Sequence, residues 1–347
     1  MLKYVPVLRY RESEKKTLED VAISNKILPL IEIVQEKRRS NMTTTCFDEI
    51  IEYLEESNTQ LLIDFPLYIK MKPSTLPSVR NFIAPLQANP NQRLNHFNNF
   101  IGKNIIPVVS YNPNTPLFQT GVISNEIKAL RATFDKIAIR IFTLHAQQAL
   151  TEADNLLQPG DIILVDLDDS HHSNPIFTSF YTHISSFAKK HGCTTVLIRS
   201  AISPVITNTG LTNNKAVASI DNSLLSDYVK YGFDAFGDYC GIKKDELTDG
   251  GMPSPGCIFY HWWSNAYYGH KGIYKQPKTF TTMVVKSLTS SNEWSDYQLK
   301  SATAHIKSCP GCRAINVISS TGQGGDSAPK WKVMISSHYL HTMEEFL

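Results

Sequence analysis

Charged side chains recur directly after short apolar runs of this chain, and these side chains could form a binding or catalytic site. In the stretch 160–170, four apolar residues run straight into Asp166, Asp168 and Asp169. Side chains alternate along a strand, so Asp166 and Asp168 would share a face with Leu164. Similar runs elsewhere supply the remaining candidates, which are Arg9, Arg11, Glu32, Asp64, Ser110, Arg140, Arg199 and Asp238.

These residue types favour an anionic substrate. Arginine forks suit phosphate and carboxylate groups, so we predict substrate binding by Arg9, Arg11, Ser110, Arg140 and Arg199. The carboxylates could hold Mg²⁺ or Mn²⁺, or supply a general acid and base as in glycoside cleavage; the catalytic candidates are Glu32, Asp64, Asp166, Asp168 and Asp238. A salt-bridge lattice that neutralises buried charges is the structural alternative, and spacing does not decide between them.

A second constellation lies near the C-terminus. Cys309-x-x-Cys312 precedes His338-x-x-His341, and two cysteines with two histidines are a donor set that zinc prefers. We therefore predict Cys309, Cys312, His338 and His341 as ligands of a structural Zn²⁺. His305 or Cys257 could also complete such a site, and packed thiols or a redox pair are the alternatives.

The stretch 259–270 is strongly aromatic. Such density is typical of core packing, or of a platform on which bases or sugars stack. We add Tyr239, Tyr260 and His261 to the candidate substrate-binding residues.

Eight strand-like runs and the amphipathic segments between them must position these side chains. The runs are 4–11, 27–34, 61–65, 105–111, 136–142, 162–168, 194–199 and 234–240. Strands that alternate with helices indicate βαβ units, and eight of them in about 240 residues predict a (β/α)8 TIM barrel over residues 1–245. An open doubly wound sheet is the alternative, which the lack of a glycine-rich loop after the first run disfavours.

The parity of each run also predicts which residues face the barrel interior. Apolar residues would point inward at the start of a strand, and a polar group would point inward at its C-terminal end, where barrel enzymes carry their active sites. On the last two strands this parity places Leu197 with Arg199, and Phe236 with Asp238, inside the barrel. We expect residues 246–347 to form a C-terminal extension packed on the barrel, with helices near 296–307 and 330–346 and a loop near 319–329.

Composition limits the possible settings. The formal net charge is +2, which argues against a protein that coats nucleic acid but allows a local basic site. The N-terminus becomes charged too early for a signal peptide, and no apolar run reaches the ~20 residues of a membrane span. Six cysteines without an export signal indicate thiols or metal ligands. We expect a cytoplasmic protein with no membrane partner.

Several short motifs resemble a known family. The stretch Tyr4-Val5-Pro6-Val7-Leu8-Arg9-Tyr10-Arg11-x-x-Glu14, then Leu28-Pro29-Leu30-Ile31-Glu32, and the late Cys309-x-x-Cys312 and Trp331…His338 resemble the "beta protein" family. The resemblance implies a phage or anti-phage defence setting, with a partner protein from a defence operon, but no established reaction.

From the strand ends we predict a hydrolase or transferase for a phosphorylated or nucleotide-like substrate, such as a nucleic-acid component. A glycosidase or N-glycosidase with paired carboxylates is one alternative. A non-catalytic defence sensor that binds an anionic phage-derived ligand is another.

Overall fold

The computed structural model describes residues 1–39, 41–114, 121–248 and 254–347. Its strands are β1 (Tyr4–Arg9), β2 (Leu30–Glu32), β3 (Leu61–Asp64), β4 (Ile105–Val109), β5 (Ala138–Phe142), β6 (Ile162–Asp166), β7 (Thr194–Ile198), β8 (Lys215–Ala216), β9 (Ala235–Asp238), β10 (Gly256–His261) and β11 (Ala266–Lys271). Its α-helices are α1 (Glu12–Asp20), α2 (Cys46–Ser57), α3 (Pro77–Ala88), α4 (Gln92–Phe97), α5 (Val122–Arg131), α6 (Ala146–Ala153), α7 (Pro175–His191), α8 (Leu224–Asp227), α9 (Val285–Thr289), α10 (Asn292–Leu299), α11 (His305–Ser308), α12 (Pro310–Thr321) and α13 (Ala328–Phe346). Short 3₁₀ turns cover Asn98–Phe100, Asn208–Gly210 and Tyr228–Tyr231, and a π-helical turn covers Phe280–Val284.

Eight parallel strands close into a barrel in the order β1-β2-β3-β4-β5-β6-β7-β9. Closure occurs where β1 pairs with β9, with Tyr4 opposite Phe236. Each barrel strand lies within one of the eight predicted runs, so the prediction of a (β/α)8 barrel is confirmed. Among the described helices, none combines the length and apolar character that a membrane span requires.

The barrel interior follows the predicted parity on six strands and departs from it on two. Val196, Ile198 and Ala235 line the interior, whereas Leu197 and Phe236 face the surrounding helices. Strand β7 is apolar on both faces, so alternation could not orient it. On β9 the cause is steric, because a Cβ on Gly237 would lie 2.7 Å from the Val5 carbonyl oxygen.

The C-terminal extension has its own core and shares a small sheet with the segment between β7 and β9. Strands β10, β11 and β8 form an antiparallel sheet, on which helices α9–α13 build a second apolar cluster. The helix predicted near 296–307 is two helices, α10 and α11. Helix α13 belongs to both parts, because Tyr339, Leu340 and Met343 join the barrel core whereas Trp331 and Met334 join the extension core. The division at residues 245/246 stays a prediction.

Candidate functional site

A buried network of ion pairs fills the C-terminal end of the barrel. We call it the mouth lattice, and it consists of Arg9, Glu32, Asp64, Arg93, Glu126, Arg140 and Asp166. All seven side chains are less than a tenth exposed. Sequence analysis predicted five of them, and the structure brings those five together.

Arg140 is the centre of the lattice. Its Nη1 donates to Glu32 Oε1 at 2.6 Å and to Asp64 Oδ2 at 3.0 Å, and its Nε donates to Asp166 Oδ2 at 3.0 Å. Arg9 Nε donates to the second Glu32 oxygen at 2.8 Å. Strands β1, β2, β3, β5 and β6 therefore meet at one guanidinium-centred layer, and the lattice neutralises charges that would be costly to bury alone.

Two lattice members came from outside the predicted set. Arg93 lies on α4, outside the eight predicted strand runs, and its guanidinium donates to the Val108 and Ser110 carbonyls at 2.6 and 3.1 Å. It also reaches Asp64 at 3.0 Å and Glu126 at 2.8 Å. Arg93 thus satisfies backbone acceptors at the end of β4, and no periodicity in the sequence signals this role.

Tyr68 adds a hydrogen-bonded hydroxyl group to the lattice. It follows β3, and its hydroxyl donates to Glu32 and accepts from Arg9 Nη2 at 3.1 Å. The same hydroxyl lies 3.2 Å from that of Tyr239. Ser110 Oγ donates to Asp64 at 3.0 Å. Ser110 and Tyr239, which were predicted as substrate-binding residues, are therefore part of this layer. Tyr68 is part of it too, but sequence analysis did not predict it.

The carboxyl groups of the lattice have pKa values that are shifted in different directions. Burial opposes ionisation of Glu32, but Arg140 and Arg9 lower its pKa to about 2. Burial raises the pKa of Asp64, and it raises the pKa of Glu126 to about 7 despite the neighbouring Arg93. Three arginines face four carboxyls, and burial favours the protonated form of both Asp64 and Glu126.

A cavity of about 360 Å³ opens above the lattice, and we call it the mouth cavity. Its cationic lining consists of Arg9, Lys70, Lys72 and Lys244, and its acidic lining of Asp166, Asp168, Asp169, Asp245 and Glu246. Phe142, Leu144 and Leu167 add apolar surface. The size and the mixture of polar and apolar groups suit a ligand of nucleotide dimensions.

Lys244 and Asp168, which both line this cavity, form an ion pair. Lys244 Nζ donates to Asp168 Oδ1 at 2.6 Å and lies 4.8 and 4.9 Å from the ring centres of Tyr68 and Tyr239. The Asp168 side chain is 63% exposed, and its backbone has φ +56°. A left-handed aspartate costs free energy, and such residues concentrate at functional sites.

Arg199 and Asp238 were expected to face the interior, and the structure turns both outward. Arg199 Nη1 donates to the Asp221 carbonyl at 3.2 Å and lies 3.3 Å from His172 Nδ1. Asp238 accepts from Tyr4 at 2.6 Å and from Tyr339. Neither lines the mouth cavity. Both errors follow from the parity errors on β7 and β9.

Three further predicted residues lie away from the cavity. Arg11 does not line the cavity, but it pairs at 2.9 Å with Asp245, which does. Tyr260 is buried against Tyr339, and His261 lies 2.8 Å from Ser264 Oγ within the extension. Much of the aromatic stretch therefore packs as core, with Phe259, Tyr260 and Tyr267 buried, whereas Trp263 is exposed.

The mouth carboxylates do not gather as a metal site. Within the described ranges, the clusters of three or more potential ligand side chains within 4.8 Å of one another both lie in the extension. Glu32, Asp64 and Asp166 instead each accept hydrogen bonds from Arg140. Among the described residues, the mouth carboxylates therefore do not form the cluster that the predicted Mg²⁺ or Mn²⁺ site would need.

The extension contains a buried group that could bind a metal, formed by His305, Cys309, Cys312 and His338. His338 Nδ1 lies 3.2 Å from His305 Nε2, 3.3 Å from Cys312 Sγ and 4.0 Å from Cys309 Sγ. A tetrahedral zinc ion with bonds of about 2.0–2.1 Å to nitrogen and about 2.3 Å to sulfur requires separations of about 3.3 Å between nitrogens and about 3.5 Å between nitrogen and sulfur. The separations from His338 Nδ1 to His305 and Cys312 are close to these values, whereas the 4.0 Å separation to Cys309 is longer.

Hydrogen bonds outside the cluster fix how its histidines face. His338 Nε2 donates to the Tyr260 carbonyl at 2.9 Å, and His305 Nδ1 lies 2.5 Å from Glu345 Oε2. Each ring therefore turns its other nitrogen to the cluster, as metal-ligating histidines do. Burial opposes ionisation of Cys309, but hydrogen bonds from Cys312 and the two histidines lower the pKa of its thiol well below the ordinary value.

The sequence between the cysteines explains the local geometry. Cys309 caps α12 and accepts from the Cys312 amide at 3.3 Å, and Pro310 occupies the first turn, where no amide donor is needed. A Cβ on Gly311 would lie 2.0 Å from the Met334 carbonyl oxygen, so only glycine lets α12 approach α13. The motif thereby brings both thiols to the His338 side of α13.

One predicted ligand stands apart from this cluster, because His341 belongs with His305 and Glu345 to a second group of potential ligands. His341 lies 3.1 Å from Ser308 Oγ through its Nε2 and is outside the four-residue cluster, in which His305 takes its place. His338 and His341 are three residues apart, so they lie near one another on one side of α13, but His341 is one turn beyond the cysteines. Sequence analysis named His305 only as a residue that could also complete such a site.

Comparisons with known proteins give one family and one structural likeness. A family model described as Beta protein matches residues 4–344. No curated protein matches the chain. A solved structure described as the crystal structure of SacUVDE aligns over 72% of this chain and 94% of that chain, with 9% sequence identity and a TM-score of 0.35.

Proposed function

This chain belongs to the Beta protein family, and we propose that it is a hydrolase or transferase that acts on a phosphorylated, nucleotide-like substrate in the mouth cavity. The observation that carries the proposal is the cationic lining of a cavity of about 360 Å³ at the C-terminal end of the barrel. Arg9, Lys70, Lys72 and Lys244 come from β1, from the segment after β3 and from the segment after β9. Cations from separate elements that face one space favour a ligand with several anionic oxygens.

The proposed chemistry uses the Lys244–Asp168 pair. Lys244 would contact the phosphoryl oxygens, and the exposed Asp168 carboxylate would accept the proton of an attacking water or hydroxyl. Phe142 and Leu144 would contact the base or another apolar part. A divalent ion would arrive with the substrate phosphates, because magnesium sites commonly combine substrate oxygens with one or two carboxylates.

The mouth lattice favours a second function, that of a non-catalytic sensor. Glu32, Asp64 and Asp166 are held by arginines and are not free to act as bases. A binding protein needs only the cationic lining. The glycosidase alternative needs a protonated carboxyl that faces the cavity, whereas the carboxyls with raised pKa, Asp64, Glu126 and Asp238, do not line it.

An unbiased screen separates these functions. The purified protein is incubated with nucleotide and nucleic-acid pools, with and without EDTA, and the products are read by mass spectrometry. Products that disappear in a Lys70→Ala/Lys72→Ala double variant support the enzyme, since these lysines are exposed and their loss leaves the fold intact. Saturable binding without product supports the sensor, and the absence of both refutes a ligand site at the mouth.

We also propose that Zn²⁺ occupies the cluster of His305, Cys309, Cys312 and His338 and that its role is structural. The separations of the ligand atoms and the outer hydrogen bonds support this. Four buried protein ligands leave no open position for a substrate, unlike a catalytic zinc site. The family resemblance extends the proposal to a phage or anti-phage setting with a defence partner, which phage-plating assays with and without the gene would test.

A further inference from the structure

Two sides of helix α13 contact two different parts of the molecule. Lys332, Ser336 and Tyr339 recur at intervals of four and three residues and meet the barrel. Met334 and His338 lie on the other side, in the extension core and the metal cluster. A helix buried on both sides transmits a displacement from one side to the other, because packed interiors do not deform continuously.

The barrel-facing side holds the chain directly after β9. The Tyr339 hydroxyl donates to Asp238, the last residue of that strand. The ring packs so closely on Gly241 that a Cβ there would lie 2.4 Å from Tyr339 Cγ. One turn earlier, the Ser336 carbonyl accepts the Cys240 thiol at 3.6 Å.

Lys332 extends this contact to the wall of the mouth cavity. Its Nζ lies 3.4 Å from Asp245 Oδ2 and also pairs with Glu14 on α1. The Asp245 carbonyl in turn accepts from Arg9 in the mouth lattice. Lys244, which lines the cavity, is the neighbour of Asp245, so its placement depends on this anchor.

The other side of α13 is positioned by the metal cluster. His338 is adjacent to Tyr339, and its ring is fixed between the cluster atoms and the Tyr260 carbonyl. It also stacks on Phe259 at 4.0 Å between ring centres. Where Gly311 meets Met334, helices α12 and α13 are in backbone contact. Without a central ion, the close thiols and imidazoles would lose the bond that holds α11, α12 and α13 together.

We propose that α13 couples the metal cluster to the mouth: Lys332 and Tyr339 are positioning residues that hold residues 239–248, and zinc in the cluster thereby sets the affinity of the mouth cavity for its phosphate-bearing ligand. The ligand part rests on the function proposed above. The structural coupling does not, and it is tested without any ligand.

Hydrogen exchange of the full chain tests the coupling. Removal of zinc with a chelator should speed amide exchange in residues 239–248 by about tenfold, while strand β4 on the opposite side of the barrel stays protected. Lys332→Met, which leaves every cluster ligand in place, should produce the same change at 239–248 with its zinc retained. Lys330→Met is the matched control, because Lys330 is exposed and pairs with the nearby Asp326 at 3.0 Å.

Unchanged exchange at 239–248 in Lys332→Met overturns the proposal, even if chelation unfolds the whole chain. Unchanged exchange after zinc removal, with zinc loss verified, overturns it as well. Inorganic pyrophosphate then serves as the ligand probe by titration calorimetry, and its affinity should fall about tenfold in the zinc-free protein and in Lys332→Met. If the zinc-loaded protein does not bind pyrophosphate, the proposed function fails while the exchange result still decides the coupling.

Discussion

Replacement of Asp166 by asparagine tests whether the mouth lattice is structural. Asp166 is 2% exposed, and its Oδ2 accepts from Nε and Nη2 of Arg140. Asparagine keeps the shape and can still accept the Asp168 amide, which lies 2.8 Å from Oδ1. It removes the charge and turns an amide group toward Arg140, so a buried guanidinium loses one of its carboxylate partners.

The expected loss is large. Removal of one partner from a buried ion pair costs about 3–5 kcal/mol. Arg140 keeps Glu32 and Asp64, so we expect the lower end, about 3 kcal/mol, which in a chain of this size lowers the melting temperature by about 4 °C. Urea and thermal unfolding followed by circular dichroism measure both quantities.

Asp168→Asn is the matched control, because it makes the same chemical change two residues away. Its side chain is 63% exposed and pairs with Lys244, so the expected loss is about 0–1 kcal/mol. Leu164→Ala in the barrel interior gives a reference for a core cavity, at about 2–5 kcal/mol. The reasoning is refuted if Asp166→Asn unfolds like Asp168→Asn, since the Asp166 carboxylate would then be free for a ligand.

Three further predictions follow from the same structure. Burial raises the pKa of Glu126 to about 7, above its unfolded value of about 4.3, so the carboxyl stabilises the fold below the unfolded pKa and loses that contribution as the pH rises through 7. The free energy of unfolding of the wild type, measured with urea, should therefore fall between pH 5 and 8, and Glu126→Gln should reduce this fall. An equal pH dependence in the two proteins would contradict the prediction. Purified protein should contain about one zinc ion per chain by plasma mass spectrometry, lost in Cys312→Ala and kept in His341→Ala, and the reverse result would restore His341 as a ligand. Arg199→Gln should leave pyrophosphate affinity within about twofold by calorimetry, because Arg199 faces Asp221 rather than the mouth; a larger loss would place it in the site.

The lattice could be predicted in part because strand ends carry a readable signal. Glu32, Asp64 and Arg140 each follow apolar residues of the same parity, and parallel strands bring their carboxyl ends to one mouth. Arg93 and Tyr68 could not be found in this way. They come from connecting segments, and their contacts depend on where those segments return to the barrel.

Local sequence by itself determined the order of strands and helices, the polar character of the mouth and the pairing of two thiols by a four-residue motif. These features depend on spacing along the chain, which alternation and helical periodicity read directly. Only the tertiary structure decided which face of β7 and β9 turns inward, since β7 is apolar on both sides and Gly237 leaves no space beside Val5. It also decided that His305 joins Cys309, Cys312 and His338 in one buried group, because the approach of α11 to α13 brings them together and no local spacing encodes the distance between two helices.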